Sequence, residues 1–223
     1  MPRRLILLAA FVLVATAASN GKQLYGRYCA KCHDTLNAPS LHGVGAQAAD
    51  FYLRSGYMPL PHLGVQPRRA RVTFTNAEIE SLVGYVASLG QGPAIPSPQP
   101  QSGSLSAGMQ LFADHCAGCH QIMAEGGYVT GAVPPALGDD TATQIAEAVR
   151  IGPYVMPRFS QHAISNGQLN SIIRYIEYTR HPDDRGGWSI GHIGPVPEGL
   201  VTWFIALLAL VCVTLLLARR HHA

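Results

Sequence analysis

Charge is scarce in this chain of 223 residues: Asp, Glu, Lys and Arg together make up 13%, and the formal net charge is only +3. That is too weak a bias to hold a polyanion, and the arginines are scattered except for Arg68, Arg69 and Arg71, so a nucleic-acid partner is excluded. Those three arginines fit an acidic docking face, the anionic groups of a cofactor or a solvated loop. Cysteine is also sparse, with five residues, and no βαβ pattern surrounds any pair of them, which removes a thioredoxin-like reading. Further Cys or His residues at zinc-finger spacing are missing too, so a structural zinc site has no donors.

Apolar residues reach 48%, and much of this excess sits at the two ends. Residues 1–18 carry Arg3 and Arg4, an apolar stretch from Leu5 to Val14, and Ala15-Thr16-Ala17, which fits a small-residue cleavage site. This is the pattern of a secretory signal, with an uncleaved anchor as the alternative. At the other end, Leu200–Ala218 is an apolar run of nineteen residues followed at once by Arg219 and Arg220. It predicts a transmembrane helix over 200–218 and a cytoplasmic tail over 219–223, with the preceding residues on the outer side of the plasma membrane. Trp188 and Trp203 suit the interface. Cys212, inside the span, reads as apolar filler.

The middle of the chain is a tandem duplication. GKQLYGRYCAKCH (21–33) and GMQLFADHCAGCH (108–120) agree at seven of thirteen positions at an offset of 87. Residues 74–89 and 164–179 match at an offset of 90, with Asn76/Asn166, Ser81/Ser171 and Tyr85/Tyr175 identical. Each copy opens and closes with a helical pattern. Ile79, Leu82, Val83 and Val86 follow Thr75 as an N-cap, and Leu169, Ile172, Ile173 and Ile176 follow Ser165. The predicted organisation is mainly α: one domain over 19–90, a Pro/Ser/Gln-rich linker over 91–105, a second domain over 106–181 and a juxtamembrane segment over 182–199.

C-x-x-C-H is the attachment signature for c-type haem: the two thiols add to the vinyl groups and the adjacent imidazole is placed to ligate iron. Units of this size need a staple, and attached haem supplies one. Plain disulfides would leave the following histidine unexplained twice. The sequence therefore predicts two covalently bound haems c, on Cys29 and Cys32 with His33, and on Cys116 and Cys119 with His120. Each copy places one Met-Pro between the haem motif and the last helix. Met58 and Met156, 25 and 36 residues beyond His33 and His120, are the candidate sixth iron ligands. The other histidines read as loop or surface residues. His/Met ligation leaves no open position at the metal, which suits electron transfer rather than substrate chemistry.

APSLHGVG after the first histidine resembles the corresponding segment of class I cytochromes c. The resemblance implies that the carbonyl of Pro39, and of Pro135 in VPPALGDD, accepts a hydrogen bond from the histidine ring. With tandem class I domains, the basic QPRRARVTF stretch and IGPVPEG directly before one C-terminal helix, the chain resembles the dihaem cytochrome c subunit of the cytochrome bcc menaquinol reductase. That family implies a cytochrome b subunit, a Rieske iron–sulfur protein as electron donor to the first haem, and a haem–copper terminal oxidase as acceptor from the second. A dihaem subunit of another membrane oxidase or dehydrogenase is the alternative, with a dihaem peroxidase behind it.

Overall fold

The computed structural model describes residues 20–35, 38–62, 64–65, 67–183 and 195–221. The signal segment, Trp188 and His192 lie outside them. A helix through residues 20–28 (α1) leads into the short turn α2 (Ala30–His33), then α3 (Gly45–Arg54) and α4 (Asn76–Ser88). The second copy repeats the order with α5 (Leu105–His115), α6 (Ala117–His120), α7 (Ala142–Ile151) and α8 (Asn166–Arg180). Among the described residues the fold is helical, with one isolated β-bridge between Val129 and Ala132.

Each domain is built on a crossing of its first and last helices, and glycine makes the crossing possible. A Cβ placed on Gly21 would lie 2.0 Å from the carbonyl oxygen of Ser81; one on Gly108 would lie 1.9 Å from that of Ser171. The backbones touch there, which only a residue without a side chain permits. Next to the crossing an aromatic pair locks the helices together. Tyr25 and Tyr85 have ring centroids 5.0 Å apart, and Phe112 and Tyr175 are 5.3 Å apart.

The apolar stripes face inward from the closing helices. Ile79, Leu82, Val83 and Val86 form one cluster with Tyr25, Leu53 and Phe74. Leu169, Ile172, Ile173 and Ile176 form a second with Phe112, Ile145 and Val149. Burying each such aliphatic side chain contributes about 1.5–3 kcal/mol. Thr75 and Ser165 each close a capping box, with Glu78 and Gln168 respectively, so the backbone donors of the first turn are satisfied. α7 starts on a third box, Thr141 with Gln144.

The linker is held on both sides. Pro93 accepts from the Gln47 amide at 3.1 Å, and the Gln99 amide donates to Asn170 Oδ1 at 2.9 Å, just before the 3-10 turn Pro100–Ser102. The two domains also meet directly, through α3 against α7 and through an ion pair of Arg69 with Asp140, whose carbonyl accepts from Arg180. Of the three arginines in the basic stretch, Arg69 thus finds an acidic partner within the same chain.

The last helix, α9 (Pro195–His221), starts ahead of the apolar run. Pro195 and Pro197 fall in its first turn, where a missing N–H costs nothing. Its segment Glu198–Arg220 is long and apolar enough to cross a membrane. Leu200, Trp203, Leu208 and Leu216 stand 55–76% exposed on it, an arrangement for lipid rather than water.

Candidate cofactor sites

Both C-x-x-C-H segments form one tight helical turn. In the first, the amides of Cys32 and His33 donate to the Cys29 carbonyl at 3.1 and 3.0 Å; in the second, Cys119 and His120 donate to Cys116 at 3.1 and 2.9 Å. The turn carries both cysteines of a pair with the histidine following, and all four thiols are free. Burial pushes the Cys29 thiol up to about 11, with Asp34 and Cys32 adding to it, and the Cys116 thiol up to about 12, with a smaller contribution from Cys119. Burial thus favours the neutral thiol form of Cys29 and Cys116.

The imidazoles are oriented by proline carbonyls. His33 Nδ1 lies 2.7 Å from the Pro39 carbonyl oxygen, and His120 Nδ1 lies 3.0 Å from that of Pro135. Because a carbonyl oxygen can only accept, each bond places a proton on Nδ1 and makes Nε2 the nitrogen available to a metal. Burial lowers the pKa of His120, against opposing contributions from the Pro135 bond and from Asp140, so its ring stays neutral.

Met58 packs against the first core cluster in company with Cys29, Leu24 and Leu41, and Met156 against the second with Cys116, Leu137 and Phe159. Each methionine therefore shares an apolar neighbourhood with the first cysteine of its own copy. The first cysteine of the motif and the methionine on one apolar cluster, with the oriented imidazole following the cysteine pair in the chain, fit covalent haem c in both copies. Other histidines take structural positions: His42 Nδ1 is 2.9 Å from the Leu89 carbonyl, and His115 meets the edge of Phe159.

Two features escaped the sequence reading. The hydroxyls beside the crossings are used differently: Tyr25 donates to Asp34 at 2.5 Å, whereas in the second copy Tyr175 donates to the Ile122 carbonyl at 2.7 Å. The identity of Tyr85 and Tyr175 across the repeat was the available signal. Helices α3 and α7 were not anticipated either, although Thr141, Gln144, Ile145 and Val149 spell a capped amphipathic start for α7.

The chain matches the family model described as cytochrome C oxidase, cbb3-type, subunit III over residues 16–86 and again over 103–176. It is 30% identical over 224 residues to the cytochrome bc1 complex cytochrome c subunit of Corynebacterium diphtheriae, covering 90% of this chain and 80% of that one. Against the subunit of the same name from Mycobacterium bovis the identity is 32% over 215 residues, covering 90% and 77%. The Cbb3-type cytochrome c oxidase subunit CcoP of Rhodobacter capsulatus is 25% identical over 194 residues, covering 74% of this chain and 63% of that one. Two cytochrome c domains followed by one apolar helix, matched along nine-tenths of their length, place the chain in the family of cytochrome bc1 complex cytochrome c subunits.

Proposed function

We propose that the chain is the membrane-anchored dihaem electron-transfer subunit of a quinol:cytochrome c reductase. It would accept electrons from a Rieske protein beside a cytochrome b subunit and deliver them towards a haem–copper terminal oxidase. One haem c is held by Cys29, Cys32, His33 and Met58, and the other by Cys116, Cys119, His120 and Met156. When bound, haem c supplies a one-electron iron couple. The thiols of each C-x-x-C-H pair would attach it, the imidazole oriented by Pro39 or Pro135 and the sulfur of Met58 or Met156 would bind its iron, and the apolar clusters would exclude water. Iron held by both an imidazole and a thioether would suit electron transfer rather than substrate chemistry.

The observation that carries this reading is the repetition of the histidine–proline contact, at 2.7 and 3.0 Å, beside a free cysteine pair in each domain. Arg219 and Arg220 at the end of α9 favour a cytoplasmic C-terminus, which leaves both domains on the outer side. The anchor then raises the local concentration of the domains near their membrane partners.

A pyridine haemochrome assay on the purified full chain should return two haems c per polypeptide; one or none overturns the site assignment. Purification from solubilised membranes should bring cytochrome b and Rieske subunits along. The likeness to the Rhodobacter capsulatus oxidase subunit favours a second reading, a cytochrome arm of a cbb3-type oxidase, and recovery with oxidase catalytic subunits alone would select it.

A further inference from the structure

The contact between α3 and α7 contains a group that attachment and ligation of haem do not use. Glu147 is 0% exposed, and neither of its carboxyl oxygens has a hydrogen-bond partner. An ionised carboxylate in that position would be neither solvated nor paired.

The charged groups that act on it come from α3. Asp50 is itself buried, at 5% exposure, and Arg54 stands beside it. The Arg54 guanidinium is committed elsewhere, to Asp50 at 2.8 Å and to Asn76 Oδ1 at 3.1 Å. Gln47 of α3 donates to the backbone carbonyl of Glu147 at 3.5 Å, not to its carboxyl group. On α7 itself, Arg150 turns to the carbonyls of Phe159 and Ile164 and to Asn166. From α8, the other helix packed on α7, the residues buried in this core include Leu169, Ile172 and Ile173, which carry no charge.

Two acidic groups and one arginine leave one negative charge uncompensated. A proton cancels it with the atoms present. A metal ion would need more donors, and no group of three His, Cys, Asp or Glu gathers among the described residues. We propose that the two cytochrome c domains dock with a proton held on Glu147 in the α3–α7 contact, which makes their docking proton-linked.

The direction follows from linkage. Burial, reinforced by Asp50 and opposed by Arg54, pushes the Glu147 carboxyl up from 4.5 to about 8 in the docked arrangement. With the domains apart, Glu147 would meet water and titrate near its ordinary value. The contribution of Glu147 to docking is therefore fully present below about pH 4.5 and is lost as pH rises towards about 8. Each pH unit within that window changes the docking equilibrium by up to about tenfold. Above it the dependence levels off, with the Arg69–Asp140 pair and the strap still joining the domains. The separation of the two C-x-x-C-H segments thus comes under the control of external pH. The proposal concerns carboxyl groups alone and stands whether the haem count is two or one.

The test uses the full-length holoprotein in nanodiscs. Infrared difference spectra should show a buried, protonated carboxyl band that disappears with a midpoint near pH 8 and is absent from Glu147→Gln. Amide exchange, corrected for its intrinsic pH dependence, should lose protection in α3 and α7 over the same window in the unaltered protein and stay level in Glu147→Gln. A missing band, a band that survives in Glu147→Gln, or equal pH dependence in both proteins overturns the proposal. Should Glu147→Gln fail to assemble, Asp50→Asn decides. It removes the like charge and frees Arg54, so the Glu147 midpoint should move to lower pH; an unmoved midpoint overturns the proposal.

Discussion

The proline carbonyl that meets the His33 ring lies six positions along the chain, whereas that of His120 lies fifteen positions along. The two domains share one scaffold of crossed helices, glycine contact and aromatic pair, but they close over their histidines differently. In the second, the longer loop folds back: the Gly126 amide donates to the His120 carbonyl, the Leu137 amide to Ala124, and Ala124 is buried. His120 is 9% exposed as a result, while His33 is only half-buried. Duplication preserved what builds the fold, and the loops diverged where each domain sets the surroundings of its own imidazole.

The shared part of that comparison is the part most easily broken. Gly21→Ala and Gly108→Ala would each drive a methyl group into a serine carbonyl, with no flexible side chain able to give way. Each should cost its domain about 3 kcal/mol, at the upper end for overpacking. Thermal unfolding followed by circular dichroism should show an early transition in both variants, of similar size. A normal melt for either one would mean that the two crossings are not equivalent.

The divergent part gives a smaller and unequal effect. Tyr175→Phe leaves the Ile122 carbonyl inside the second domain without its donor and should cost about 1–2 kcal/mol. Tyr25→Phe releases Asp34, which is exposed and can turn to water, so about 0.5–1 kcal/mol is expected. Denaturant titration of the two variants measures the difference; equal losses would show that the longer loop gives Ile122 no special shelter.

Local pattern made the closing helices legible in the sequence: a 3.6-residue apolar stripe behind Thr75 or Ser165 specifies a cap and a buried face within a few residues. The proximity of Pro39 and Pro135 to the histidines came through family resemblance rather than from any local rule. Contacts between the domains were not legible. Arg69 and Asp140 are 71 residues apart, and nothing around either residue marks the other as its partner, so the basic stretch left three readings open. Nothing in the sequence around Glu147 singles it out. It is buried on α7 where α3 packs, and that is a tertiary event without a sequence periodicity.

The smallest expected effect distinguishes the capping boxes of the two closing helices, α4 and α8. In the first domain the reciprocal acceptor is the Glu78 carboxylate, which takes hydrogen bonds from the Thr75 amide at 2.8 Å and from its hydroxyl at 2.9 Å. In the second it is the neutral amide oxygen of Gln168, accepting from the Ser165 amide at 2.9 Å. The Thr75 bonds, backbone first, hold Glu78 below its ordinary value of 4.5. A folded-state pKa lowered in this way contributes stability above the ordinary value and loses it as pH falls through the lowered one. Acidification should therefore loosen the first turn of α4 while that of α8 keeps its cap. Site-resolved amide exchange at residues 76–79 and 166–169, compared above and below pH 4.5, reads the difference directly. Glu78→Gln should make the two helices respond alike, and parallel loosening of both in the unaltered protein would remove any role for the charge.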